Sequence, residues 1–113
     1  MTTEKFEFLL DQCCEILTTE ARLVVFRSSK HFEDRVREVL SDLTAEDASI
    51  VIDFDSPAQA FPDIAMGEYG VEVKYTTADT WRSIANSVLE TQRVEGVKYI
   101  YIVFGKMGGI PEV

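Results

Sequence analysis

The sequence predicts an α/β domain, a mixed β-sheet flanked by helices in the order helix, helix, strand, hairpin, helix, strand. Three observations carry that expectation. Apolar residues recur at helical spacing in three stretches, about 4–18, 30–43 and 80–93. Two runs rich in β-branched residues, Ile50-Val51-Ile52-Asp53-Phe54 and Val97 to Phe104, lie between or after them. Gly67-Glu68 separates two further extended stretches at the spacing of a tight hairpin.

The first helix, Glu4 to Thr18, places Phe6, Leu9, Leu10, Cys13, Ile16 and Leu17 on one side, with Thr2 or Thr3 as its cap. Cys13 falls on the apolar stripe and Cys14 beside it, which reads as small core residues rather than a redox pair. Leu23-Val24-Val25-Phe26 fits a strand or a helix end. Ser28-Ser29 offers a cap for the second helix, Lys30 to Leu43, whose stripe is Phe32, Val36, Val39, Leu40 and Leu43. On a 100° wheel Glu33 sits at the edge of that stripe, whereas Glu38 points away. Glu33 is therefore the acid able to reach a site at the rim of a core. The strand at 50–54 is bounded by Ser56-Pro57, and Phe61 to Met66 pairs with Tyr69 to Thr76. Asp79 can cap a helix from Thr80 to Arg93, with Trp81, Ile84, Ala85, Val88 and Leu89 on one face and Gly96 as its stop. Val97 to Phe104, with few polar interruptions, reads as a central strand.

With 113 residues and 12.8 kDa, the chain reads as one domain, residues 29–113 forming the core and 1–28 an N-terminal helical extension. An apolar share of 46% with 27% charged residues excludes a disordered or fibrous chain. The longest apolar run, Tyr99 to Phe104, falls far short of a membrane span of about 20 residues. Met1-Thr-Thr-Glu-Lys-Phe lacks the basic head of a signal peptide, and the only two cysteines are adjacent and cannot bridge normally. A cytoplasmic protein without membrane contact is expected. The net charge of −9 argues against a nucleic-acid partner, but its distribution weakens the objection. Residues 1–68 hold fifteen of the twenty acids and six of the eleven bases, so residues 69–113 are neutral.

The stretch that carries chemistry is Pro62-Asp63 followed by Glu72-Val73-Lys74. On a strand, Glu72 and Lys74 share one face, and Val71, Val73 and Tyr75 the other. A turn centred between Gly67 and Glu68 sets Met66 against Tyr69 and Asp63 against Glu72. Opposed residues have Cβ atoms about 4.5–5.5 Å apart, so two carboxylates there repel unless a cation lies between them. A hard divalent ion such as Mg²⁺ is the natural occupant, with Lys74 beside it. Such a group is equipped to attack a phosphodiester: the ion acidifies water, and Lys74 orients or deprotonates the nucleophile or stabilises the transition state.

Pro62-Asp63…Glu72-Val73-Lys74 resembles the signature of the PD-(D/E)XK nuclease superfamily, the restriction-endonuclease-like fold, in an α-β-β-β-α-β order. The segment Tyr69 to Gly109 is most similar to the catalytic region of prokaryotic type II restriction enzymes. The resemblance implies Asp63 and Glu72 as metal ligands with the Val73 carbonyl as a third, Lys74 as the catalytic lysine, and Glu33 as the additional glutamate of the preceding helix. It implies a Mg²⁺-dependent endodeoxyribonuclease, with Mn²⁺ as a substitute, that hydrolyses double-stranded DNA through a metal-activated water. A two-fold dimer would place one site on each strand. The alternatives are a repair or anti-phage nuclease of the same fold, or a non-catalytic module binding nucleic acid or protein.

Arg82, Asn86 and Arg93 lie within about 40° of one another on the third helical wheel, a stripe open to phosphates or simply to solvent. Gln92 falls inside the apolar stripe, and Gly105-Lys106-Met107-Gly108-Gly109 reads as a loop that would bring Lys106 to the DNA side. That loop lacks P-loop spacing, and one histidine, His31, excludes zinc and histidine–metal nuclease chemistry.

Overall fold

The computed structural model describes residues 2–45, 52–53, 63–81 and 97–113. Helix α1 spans Thr3–Leu23, its first turn capped by the Thr2 hydroxyl, which accepts the Lys5 N–H at 3.1 Å. Phe6, Leu9, Leu10, Cys13, Leu17 and Ala21 form its buried stripe, while Ile16 stays on the rim at 37% exposure. The helix runs five residues beyond Thr18, because Ala21 still reaches the core and the Thr19 hydroxyl is absorbed by the Glu15 carbonyl at 3.0 Å. β-branched Val24 is extended and ends it, so Leu23 to Phe26 is a helix end rather than a strand.

Helix α2, Ser29–Thr44, is capped by the Ser28 hydroxyl, which accepts the His31 N–H at 3.1 Å. It is tied to α1 by a two-pronged ion pair: Arg35 Nε donates to Glu20 Oε1 at 2.8 Å and Nη2 to Oε2 at 2.7 Å. The fork holds the Glu20 carboxyl below its ordinary range, since a guanidinium on both oxygens favours the ionised form.

The described strands are β1 (Ile52–Asp53), β2 (Ile64–Met66), β3 (Tyr69–Thr76) and β4 (Tyr99–Lys106), in that spatial order. β1–β2 and β2–β3 are antiparallel and β3–β4 parallel, so the sheet is mixed, as the sequence predicts. The β2–β3 turn sets Gly67 at φ +65°, the left-handed position where a two-residue hairpin favours glycine. Ile64, Met66, Tyr69, Val71 and Val103 meet Phe6, Leu17, Phe32, Val36 and Leu40 in one core, so both helices cover the same sheet face. Gly105 belongs to β4, which runs two residues past the expected strand end. A Cβ there would fall 2.7 Å from the Phe32 ring, so only glycine lets α2 lie this close.

One strand position differs from expectation. Among the described residues β3, not β4, is paired on both sides. The apolar pattern of β4 arises instead from one buried and one uneven face: Val103 is in the core and Ile102 is 65% exposed. Of the expected 50–54 strand only Ile52–Asp53 is described, and residues 82–93 of the expected third helix lie outside the described residues. No described helix is long and apolar enough to cross a membrane.

Candidate active site

The β2–β3 register decides what the hairpin brings together. Ile64 pairs with Val71, Ala65 with Gly70 and Met66 with Tyr69, so Asp63 stands opposite Glu72 as the turn spacing predicts. The Val73 N–H donates to Asp63 Oδ2 at 2.8 Å, across the edge where β2 begins. Backbone groups alternate sides along a strand, so Val71, like Val73, faces β2, and Ile64–Val71 is a hydrogen-bonded pair. Asp63–Glu72 is then the closer, non-hydrogen-bonded kind. The Val73 carbonyl leaves the strand on the same side as its N–H and faces the same edge as the Asp63 carboxyl.

Glu72 is buried, 6% exposed. Its carboxyl is pushed up to about 8, by burial first, then by a hydrogen bond to the Asp63 carboxyl and by that group's charge; the Lys74 ammonium pulls the other way. Without a cation, the pair is relieved of repulsion by a proton that Glu72 keeps and shares with Asp63. Lys74 projects on the same face as Glu72, and no side-chain hydrogen bond or ion pair to a described residue holds its ammonium.

Glu33 arrives from α2. Its carboxyl is raised by burial and then by the Asp63 charge, and its own charge in turn raises Glu72, so three carboxyls from two elements share one field. Among the described residues, no three His, Cys, Asp or Glu side chains stand close enough to enclose an ion together. Glu33 leans instead toward Arg37, Oε2 lying 3.7 Å from Nη2, and the same Nη2 donates to the Asp63 carbonyl at 2.8 Å. Arg37 is not singled out by the sequence pattern, although its place four residues after Glu33 on one helix face is visible there.

No protein-family model, curated protein or solved structure matches the chain.

Lys106 is 7% exposed, and its ammonium donates to Asp79 Oδ1 at 2.8 Å, to the Gly108 carbonyl at 2.8 Å and to the Ile110 carbonyl at 3.0 Å. All three protons are committed, so a phosphate reaching Lys106 would have to displace one of these partners. The glycines after it are not a loose loop. A Cβ on Gly108 would fall 2.3 Å from the Ala78 carbonyl carbon, and Lys106 bridges to Glu112. Arg82, Asn86, Gln92 and Arg93, with Pro62, lie outside the described residues. Burial pushes the Cys13 thiol up to about 12, which leaves it inert, and His31 is an exposed ring against the edge of Phe26.

Proposed function

We propose that the chain is a divalent-metal-dependent nuclease with a restriction-endonuclease-like core, acting on the phosphodiester bonds of double-stranded DNA. The single observation that carries this reading is the Asp63–Glu72 carboxyl pair across the hairpin, Glu72 buried, with Lys74 on the same face. A structural hairpin has no use for two opposed carboxyls, one of them buried, because burial costs desolvation and the two repel. The donor set suits Mg²⁺, which is bound through one or two carboxylates and keeps several waters. Asp63, Glu72 and the Val73 carbonyl would hold it, with Glu33 as an outer carboxylate. A bound Mg²⁺ would supply neutralisation of phosphate charge and acidification of the attacking water. Lys74 presents an ammonium beside the pair, placed to orient that water or to donate to the charge growing on phosphorus. Asp63 is braced by the Val73 N–H, which restrains its carboxyl across from Glu72.

Incubation with supercoiled plasmid tests the reading. Wild-type protein should nick or linearise plasmid with Mg²⁺ or Mn²⁺ and not with chelator. Asp63→Asn should abolish cleavage, and Lys74→Ala should lower the rate on the order of 10²–10³-fold while metal binding persists. Cleavage that survives both substitutions would overturn the assignment.

A further inference from the structure

We propose that Arg37 is the positioning residue of the carboxylate site, setting where Asp63 and Glu33 stand; the proposal rests on the metal-dependent reading above. Asp63 precedes β2, and the alternation of backbone groups turns its carbonyl away from β3. Among the described residues, no strand partner therefore holds the peptide on the outer side of Asp63. Arg37 supplies that restraint, its Nη2 donating to the Asp63 carbonyl at 2.8 Å from the helix packed beneath the sheet. The same nitrogen is the cation nearest Glu33, at 3.7 Å, so one guanidinium links a backbone atom of one carboxylate residue to the side chain of another.

The remaining geometry shows what this arrangement costs. Arg37 Nε is buried with no hydrogen-bond partner among the described residues. Buried donors are ordinarily satisfied, and a guanidinium turned to complete all its bonds would leave Asp63 or Glu33. Among the described residues, its orientation serves the two carboxylate residues and leaves its third donor without a contact. A lysine in this place keeps the charge, but its shorter, flexible and more strongly hydrated ammonium is not held at the one point between the two partners that the rigid guanidinium reaches. Arg37 touches neither substrate nor the reacting atoms. It acts through Asp63 and Glu33, in the way outer groups orient the ligands of a metal site.

The experiment reads Mn²⁺ affinity by electron paramagnetic resonance and calorimetry, with plasmid cleavage alongside, for wild type, Arg37→Met, Arg37→Lys, Glu72→Gln and Leu17→Ala. Arg37→Met should weaken Mn²⁺ binding by about 10–100-fold, and Arg37→Lys should recover part of the loss. Leu17→Ala, which opens the core on α1, a helix that carries none of the site residues, should bind Mn²⁺ as wild type does, so destabilisation alone is separated from positioning. Should Arg37→Met fail to fold, Arg37→Lys carries the test, with weakened binding expected and wild-type affinity overturning the proposal. Wild-type affinity in folded Arg37→Met, with binding lost in Glu72→Gln, overturns the positioning role and leaves the metal site standing. Absence of Mn²⁺ binding in wild type overturns both.

Discussion

Glu72 concentrates the chemistry of this chain in a single carboxyl. Its proton is held to about pH 8 in the fold but leaves near the ordinary glutamate value of 4.5 in the unfolded chain. The folded state thus binds more protons between those values. This contribution is intact below pH 4.5 and is lost as pH rises through 8, each pH step of one across that window removing about 1.4 kcal/mol. Chelator-treated wild type should therefore lose a few kcal/mol between about pH 5 and pH 9, a loss Glu72→Gln should escape. Thermal melts of the two proteins across that range check this, and parallel curves would refute it. The pair itself was legible in the sequence, because a two-residue turn at Gly67 leaves only one register for Asp63 and Glu72. Arg37 was not, because its value lies in a carbonyl 26 residues away that no helical wheel displays.

At the level of elements, the periodic helices were legible almost to their caps, since Thr2 and Ser28 announce where N–H groups need partners. The strand ends were not. Gly105 reads as a strand breaker in sequence, yet it lies inside β4 because the Phe32 ring of α2 occupies the space a side chain would need. Gly105→Ala should cost about 1–3 kcal/mol through forced repacking of that ring, measurable by urea unfolding. An unchanged midpoint would mean that α2 can draw back freely. Lys106 was misleading for a related reason. A lysine beside three glycines looks solvent-bound, and only the close approach of residues 108–109 to Ala78 and Asp79 turns it inward.

For the whole molecule the difficulty is charge. If DNA is the substrate, as proposed, a protein of net −9 must approach it against repulsion, and Lys106 has its protons engaged internally. Binding must then lean on a divalent ion that turns the Asp63–Glu72 edge from repulsive to attractive. In the Lys74→Ala protein, Ca²⁺ should raise duplex affinity at least several-fold, with a salt slope of only about −2 to −3 for a few phosphate contacts. Titration of labelled duplex across a salt series checks both, and affinity indifferent to Ca²⁺ would refute the expectation. The placing of α1 has a different consequence, one of time. The Thr3 hydroxyl bonds that of Tyr69, Tyr101 donates to Glu7, Arg22 to the Pro111 carbonyl, and the Val113 N–H to Thr18, separations of 66, 94, 89 and 95 residues. Loops that long close slowly and give nothing back until both ends meet. Helix α1 can therefore meet α2 early, through the Arg35–Glu20 pair only 15 residues apart, while its ties to the sheet and to residues 111–113 close late.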